Sequence, residues 1–333
     1  MATIKDIARE LNIGVSTVSM ALNGNPRINE ETRQKVLAKA KELNYVKNGI
    51  AVDLQRKSTN LILLVVDDAS RPFFSRTINA VQRKISEYGY DLLIATTFNG
   101  HIETAKRYIS ERRADGVIVF TNRIEDEDIL RYACKDMPIF VIGRYLSGEH
   151  VYSEPISSTT QGQEVVEYLY NKGYRKIAFV KALPHTLGTI RRFKAYQTAL
   201  SQFNLEYNEE IVFNANGSEY EDGYRITKEI IKKIDQIDAI FYSNDDIAIP
   251  GVKCLIDHGI AVPQRVSVVG YNDLPYSKLV TPALTTVTTC QTTTSYAVDI
   301  LIAAIRNENV QPIIDQYVQE LDGRKERLII RET

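Results

Sequence analysis

Thr3 to Gly24 read TIKDIARELNIGVSTVSMALNG, and this stretch decides the fold of the amino-terminal end. Apolar residues recur at the spacing of one helix face from Ile4 to Leu11, which predicts a first helix of about two turns. Asn12 takes the left-handed conformation that ends helices more readily than most residues, and Gly14 is an acceptable N-cap. The sequence therefore predicts two short helices joined by a three-residue turn.

A third helix is predicted after Asn29, with two glutamates in its first turn. We expect its inward residues to be Val36, Leu37, Ala40 and Leu43. Three short helices with this tight first turn have helix-turn-helix geometry. The outward face of the second helix is expected to carry Val15, Ser16, Ser19 and Met20. These side chains are small, short or flexible, so the face suits a DNA major groove.

Charge is distributed unevenly along a chain of 333 residues that is nearly neutral overall, at -1. Residues 1–58 contain ten Lys and Arg against six Asp and Glu, a net +4, which leaves -5 for the remainder. A basic head on an acidic body suits a polyanionic partner bound at one end. Three scattered cysteines and four histidines indicate neither a disulfide framework nor a metal site. With no apolar leader or membrane-length run, we expect a cytoplasmic protein without a membrane partner, metal or cofactor.

The head resembles the LacI/GalR family of bacterial repressors through residues 3–8, 15–24, the run EETR at 30–33 and Tyr45. The resemblance implies a DNA-binding domain over residues 1–46, bound to a pseudo-palindromic double-stranded operator. Val15 and Ser16 should read bases, whereas Thr17 and Ser19 should touch phosphates or base edges. Met20 stands where the family usually has an Arg, so it should make an apolar contact instead of pairing with a guanine. The full set of implied DNA contacts is Thr3, Val15, Ser16, Thr17, Ser19, Met20, Asn23, Asn29, Thr32, Ala51 and Leu54.

Residues 47–58 resemble the family's hinge helix, with Asn48, Ala51 and Leu54 on one face. In the family, Ala packs on the partner hinge and Leu wedges into the minor groove. The eleven residues 48–58, which include a glycine, are marginal as an isolated helix in water. The resemblance therefore implies a homodimer whose two hinges fold together on DNA, although a plain flexible linker is the alternative.

From residue 59 onward, short apolar runs alternate with helix-length segments. Their richness in Val, Ile, Leu and Phe indicates strands buried on both faces, as in parallel sheets. The predicted strands are Leu61–Val66, Leu92–Ala95, Val117–Phe120, Ile139–Ile142, Ile177–Val180, Ile211–Phe213, Ala239–Tyr242 and Val266–Val269. Periodicity leaves open whether these units form one barrel or two doubly wound halves.

The resemblance to the family's periplasmic-binding-protein-like core favours two halves, through residues 72–74, 173–179, 244–245, 262–263, 266–271 and 281–287. It implies an α/β fold of two doubly wound parallel-sheet subdomains with a central cleft, preceded by the small all-α head. The core spans residues 59–333, with crossovers expected near 157, 286 and 316. The N-subdomain would hold about 59–156 and 287–315, and the C-subdomain about 157–286 and 316–333.

Polar and aromatic residues at the ends of the predicted strands are candidates for binding an effector in that cleft. By resemblance, Arg192 is the arginine that hydrogen-bonds the effector, and Asn272 replaces a frequent Asp of the family. The full candidate set is Asp68, Ser70, Phe73, Phe74, Thr121, Arg144, Arg192, Asn244 and Asn272.

These observations predict a DNA-binding regulator, expected to be a repressor, whose operator affinity is controlled by a small molecule, expected to be a sugar or a derivative. Nucleobase sensing and corepression remain alternatives, and the sequence names neither the effector nor the operator. A sugar-binding enzyme is the main alternative class, but the chain lacks a glycine-rich dinucleotide fingerprint, a phosphate loop and a nucleophile elbow. A secreted binding protein of the same core fold would need a signal peptide and no helix-turn-helix.

Overall fold

The computed structural model describes residues 2–46, 58–154, 162–288, 292–323 and 327–333. The chain divides into two compact units with their boundary between Thr59 and Asn60. The first unit is the helical head and the second is the α/β core. The predicted hinge positions Ala51 and Leu54 lie outside the described residues.

The head contains α1 (Ile4–Leu11), α2 (Val15–Leu22) and α3 (Glu30–Glu42), as predicted. Asn12 ends α1 in the left-handed conformation with φ of 52°, and Gly14 precedes α2 as its N-cap. Asn29 caps α3 by accepting a hydrogen bond from the Thr32 amide at 2.8 Å. The Asn29 side chain satisfies a backbone donor at the start of α3, whereas the backbone N–H of Asn12 satisfies carbonyls of Ala8 and Arg9 at the end of α1.

One fully buried residue from each helix, namely Ile7, Val18 and Val36, lies in the centre of the head. Each buried side chain of this kind stabilises the fold by roughly 1.5–3 kcal/mol. Our prediction that Leu37 faces inward is wrong, since this side chain is 42% exposed. The face of α3 that packs on α1 and α2 is carried by Val36 and Ala40 instead.

The N-subdomain of the core is a five-stranded parallel sheet in the order β2-β1-β3-β4-β5. Its strands are β1 (Leu61–Val66), β2 (Asp91–Thr96), β3 (Gly116–Phe120), β4 (Ile139–Val141) and β5 (Val151–Ser153). The helices α4 (Pro72–Glu87), α5 (Glu103–Ser110) and α6 (Asp126–Tyr132) connect them. Apolar clusters cover both faces of the sheet, which explains why its strands are continuous apolar runs.

The C-subdomain has a four-stranded parallel sheet in the order β7-β6-β8-β9 and an antiparallel pair, β10-β11. Its elements are α7 (Gln163–Asn171), β6 (Ile177–Lys181), α8 (Leu187–Gln202), β7 (Val212–Asn214), α9 (Tyr220–Ile231), β8 (Ala239–Tyr242), α10 (Asp245–Asp257), β9 (Ser267–Val269), β10 (Thr286–Thr288) and β11 (Arg327–Ile329). The doubly wound arrangement, and not a barrel, is therefore the architecture of the core.

Two further helices, α11 (Thr292–Ile305) and α12 (Gln311–Gly323), return the chain to the N-subdomain, where Leu301 and Ile313 pack in its core. Our expectation of a crossover at 316 needs correction, because α12 continues through that residue. The chain rejoins the C-subdomain only at β11. The expected boundary at 286 also moves, to beyond Thr288, because Val287 and Thr288 still pair with Leu328 and Arg327 of β11. The expected crossover at 157 lies outside the described residues.

The strand order fixes where a ligand site belongs in the core. β1 lies between β2 and β3, and β6 lies between β7 and β8, so each sheet has a topological switch point at the carboxyl ends of these strands. Open α/β sheets bind ligands at such points. None of the described helices combines the length and apolar character that crossing a bilayer requires.

Candidate DNA-binding surface and effector cleft

The outward face of α2 is the candidate DNA-reading surface of the head. Val15 is 42% exposed although it is apolar, and Ser16 beside it is exposed. Ser19 and Met20 are half-buried on the same face, one turn further along. Thr17 is also half-buried, whereas Val18 and Ala21 hold the opposite face in the core. The helix therefore offers a narrow row of apolar and hydroxyl groups to a partner.

Other predicted DNA contacts have side chains that cap helices. The Thr3 hydroxyl donates to Asp6 Oδ2 at 2.7 Å, and Asn29 Oδ1 accepts from the backbone N–H of the half-buried Thr32. Asn23 is exposed at the end of α2. Thr3 and Asn29 thus hold helix ends in place, and their remaining hydrogen-bonding capacity lies at the surface.

Exposed cations supply the head with positive charge. Four ion pairs bind carboxylates within the head, among them Arg9–Asp6 at 2.7 Å and Lys35–Glu31 at 2.6 Å. Among the described residues, Lys5, Arg27 and Lys41 are exposed and have no carboxylate partner. Such cations are the groups that neutralise DNA phosphates.

On the N-subdomain side of the cleft, Asp67 follows β1 and holds the neighbouring strand ends together. Its Oδ1 accepts from the hydroxyls of Thr97, at 3.0 Å, and Thr121. The hydroxyl of the buried Thr121 therefore already donates within the protein. Asp68 Oδ1 accepts from the amide and hydroxyl of Ser70, at 2.9 and 2.6 Å. These two candidates form a local turn and present the carboxylate at its surface.

The predicted aromatic pair is part of a three-ring cluster. Phe73, Phe74 and Phe120 meet edge to face with ring centroids 5.3–5.7 Å apart. Phe74 is only 7% exposed and belongs to the N-subdomain core. Phe73 is half-buried, so it alone of the predicted pair retains a surface for a ligand.

Arg144, another candidate for binding the effector, makes its hydrogen bonds within the N-subdomain in this structure. Its guanidinium donates to the carbonyls of Thr121 and Ile124, at 2.5 and 2.7 Å, and pairs with Asp126 at 2.8 Å. These bonds close the loop after β3. The arginine is bound within the N-subdomain because loop carbonyls, which no sequence pattern reveals, lie within its reach.

On the C-subdomain side, Arg192 of α8 lies against the ends of β8 and β9. Its Nη1 donates to the Ser243 carbonyl at 2.7 Å, and its Nη2 donates to Asn272 Oδ1 at 3.4 Å. The guanidinium stacks on the Tyr271 ring at 3.8 Å. Two residues predicted separately, Arg192 and Asn272, are therefore neighbours at the switch point of this sheet.

Asn244 and Asp245 form the start of α10. The Asn244 side chain caps the helix through the Ile247 amide at 3.2 Å. Asp245 is fully buried and accepts from the Leu274 amide and from the hydroxyls of Ser277 and Thr286, at 2.6–2.8 Å. Burial raises the pKa of this carboxyl, but the donors around it make it a structural anchor for the segment that follows β9.

Asp246, which the sequence analysis did not select, is the titratable group of the cleft region. Burial raises the pKa of its carboxyl to about 6, while Arg71 lowers that pKa and the nearby Asp245 and Glu219 raise it. Arg71 precedes α4 in the N-subdomain, so the field at Asp246 comes from both subdomains. The signal available in the sequence was its place directly after Asn244-Asp245 at a strand end.

A second missed residue is Arg76 of α4. Its guanidinium reaches the carbonyls of Asn272 and Asp273 in the C-subdomain, at 3.1 and 2.6 Å. Four residues after Pro72, it lies in the first two turns of the helix that follows β1. That position was the only sequence signal, since the contact depends on how the subdomains pack.

A cavity of about 570 Å³ lies away from the strand ends, among α4, α11 and α12. Its polar groups are paired with one another: the Tyr88 hydroxyl donates to Asp299 at 2.6 Å, and the Tyr296 hydroxyl donates to Glu320 at 2.7 Å. These bonds satisfy the four groups without a ligand.

Two family models match the chain. Residues 3–48 match the model described as bacterial regulatory proteins, lacI family, and residues 166–324 match the periplasmic binding protein-like domain. The chain is 31% identical over 296 residues to the "Probable HTH-type transcriptional repressor ExuR" of Bacillus subtilis, covering 86% of each protein. It is 30% identical over 335 residues to the "HTH-type transcriptional regulator MalR" of Clostridium butyricum, covering 96% of this chain and 98% of the relative.

Solved structures share the fold along the whole chain. A lac repressor dimer bound to operator and the anti-inducer ONPF superposes with a TM-score of 0.74 at 20% identity, covering 100% of this chain and 98% of that one. A complex of the regulator CelR with cellobiose gives 0.63 at 24% identity, covering 100% and 99%. The head, the core and these relatives define a class: the chain belongs to the lacI family of bacterial regulatory proteins. It is a DNA-binding transcription regulator and not an enzyme.

Proposed function

We propose that this protein binds a roughly palindromic operator as a homodimer and represses transcription, and that a sugar or sugar derivative in the cleft controls this binding. The exposed face of α2 supports the DNA part of the proposal, because it combines Val15 and Ser16 with unpaired cations nearby in the head. Relatives named as repressors and a neighbouring structure described as a dimer on operator support the mode of action.

Each head would place α2 in a major groove, with Val15, Ser16, Thr17, Ser19 and Met20 at the bases and nearby phosphates. The DNA backbone would be contacted from the helix ends, by Thr3, Asn23, Asn29 and Thr32. Two hinges would meet in the minor groove, where Leu54 would wedge between base steps and Ala51 would pack on its partner. Leu54→Ala should then retain the fold but lose most specific affinity in a gel shift, and unchanged affinity would exclude the hinge proposal.

The Arg192–Asn272 pair is the observation that carries the effector part. It puts a charged fork and an amide side by side at the switch point, while Asp246 and Asp68 supply acceptors. Donors and acceptors in this mixture suit the hydroxyl groups of a sugar. The cellobiose-bound neighbour agrees with this choice. Asn244 and Phe73 would line the same site.

A thermal-shift panel of glucose, cellobiose, glucuronate and hypoxanthine tests this proposal on the full chain. A compound that binds the folded core must raise the melting temperature in a concentration-dependent way. Stabilisation by hypoxanthine alone would favour a nucleobase effector, and no stabilisation by any compound would contradict the proposal. Selection from random duplexes at fixed salt, since salt governs affinity, should return a pseudo-palindrome.

A further inference from the structure

Arg76 connects the two subdomains through main-chain contacts. The side chain leaves α4 in the N-subdomain, and its Nη1 donates to two successive carbonyls of the C-subdomain, those of Asn272 and Asp273. A cation that donates to carbonyls forms stronger bonds than a neutral donor does. These bonds exist only while α4 lies close to the segment after β9, so they favour the arrangement of the subdomains seen here.

The two residues held by Arg76 have an unusual backbone. Asn272 has a φ of 110° and Asp273 a φ of 48°, values that side-chain-bearing residues rarely adopt. Such conformations persist only where the surroundings hold them. Here the backbone N–H of Asn272 donates to the Val287 carbonyl at 2.9 Å, and Arg331 binds Asp273 Oδ1 at 2.6 Å.

The same segment faces the proposed effector site. Asn272 accepts from Arg192 through its side chain and from Arg76 through its carbonyl. Arg192 of the effector pair and Arg76 of the N-subdomain helix therefore bind the same residue. If effector binding moves Asn272, the hydrogen bonds from Arg76 change as well. By linkage, a change in those bonds alters effector affinity in turn.

We propose that Arg76 is a positioning residue for the effector response: it orients Asn272 for the effector and couples occupancy of the cleft to the arrangement of the subdomains. The inference rests on the proposed function. Arg76 need not touch the effector itself. A response of this kind requires a contact that differs between two arrangements of the core, and the bonds across the subdomains are such a contact.

The matched pair of variants is Arg76→Ala and Arg83→Ala, which remove the same charge from the same helix. Arg83 is exposed and its side chain makes no contact with the segment after β9 among the described residues. For each variant, operator affinity is measured without a compound and with the panel compound that most stabilises the wild type. We expect the factor by which the compound changes operator affinity to fall on the order of tenfold in Arg76→Ala. It should remain unchanged in Arg83→Ala, while Arg76→Lys, which keeps a cationic donor, restores part of it.

Amide hydrogen exchange provides a readout that needs no effector. The amides of Asn272 and Asp273 should exchange faster in Arg76→Ala than in Arg83→Ala, because their segment has lost a support. An unchanged affinity ratio or unchanged exchange at these amides overturns the inference. Operator affinity that falls equally with and without the compound also overturns it, since the role is then structural. If no panel compound stabilises the wild type, the proposed function fails, and the exchange measurement still decides whether Arg76 holds the segment.

Discussion

Replacing Arg192 by alanine should separate effector response from DNA binding. In the structure this side chain makes a short bond to the Ser243 carbonyl, a longer one to Asn272 and a stack on Tyr271. Part of the guanidinium is therefore used by the protein itself. We expect both a loss of stability and a loss of effector affinity, and no change in the contacts of the head.

The size of the stability effect follows from these contacts. A hydrogen bond from a charged donor contributes about 1.5–3 kcal/mol, and a cation stacked on an aromatic ring contributes about 0.5–2 kcal/mol. The Nε of Arg192 is buried without a partner among the described residues, and its removal relieves a cost of about 1–3 kcal/mol. The net loss is about 2 kcal/mol, which lowers the melting temperature by roughly 4–8 °C.

The assay is a pair of operator titrations, with and without the stabilising compound, on Arg192→Ala and on Lys194→Ala. Lys194 is exposed on the same helix and carries the same charge. Compound affinity should fall about ten- to a hundredfold in Arg192→Ala only, while operator affinity without the compound stays near that of the wild type. Weakened operator binding without compound, in a protein that is still folded at the assay temperature, would refute the reasoning.

Three further changes test other parts of the molecule. Met20→Arg should shift preference toward guanine at one half-site position by about 1–3 kcal/mol, since it adds a bidentate donor; site selection that returns the same half-site would show that residue 20 does not face bases. Gly270→Ala should lower the urea midpoint, because the new Cβ would lie 2.1 Å from Asp245 Oδ1. Gly188→Ala, whose nearest neighbour would be at 3.4 Å, is the control, and equal losses would contradict the packing argument. In Asp246→Asn, the half-buried acid with a pKa raised from 3.8 to about 6 is removed. The folded wild type binds that proton more tightly than the unfolded chain, so the free energy of unfolding of the wild type falls as pH rises from 3.8 to about 6. Relative to the wild type, the free energy of unfolding of the variant should therefore rise by about 3 kcal/mol over that range. A stability difference that is constant with pH would show that the carboxyl is not perturbed.

The long strands of the fold were predictable from the sequence because a strand buried on both faces is itself an apolar run. All eight predicted runs are strands, within one or two residues at their ends. The three that were missed, β5, β10 and β11, have three residues each, as do β4, β7 and β9, but they do not lie in an apolar run of the kind that marks those three. Strands this short carry no periodicity, and β10 exists because it pairs with a partner about forty residues later. Distant pairing is not encoded in any local pattern.

Candidate site residues could be predicted from the sequence where a polar side chain follows a strand. The partners of an arginine could not be predicted where those partners are backbone carbonyls. Arg192 and Asn272 were selected separately and are neighbours in the structure. Arg144 was also selected, but it binds the loop carbonyls of Thr121 and Ile124. Arg76 was not selected, since its acceptors belong to the other subdomain. Carbonyls are present at every position, so a sequence cannot show which of them an arginine will find.

The pairing of β10 with β11 sets an order of events during synthesis. Arg331, which binds Asp273, and Thr333, whose hydroxyl donates to the Val268 carbonyl at 2.6 Å, leave the ribosome after every strand of the two parallel sheets. The three described helices of the head contact one another over short sequence separations, so the head is able to fold first. We therefore expect a nascent chain to acquire its DNA-reading helix early. The segment after β9, which Arg331 holds through Asp273, should reach its final backbone conformation only after residues 327–333 have emerged.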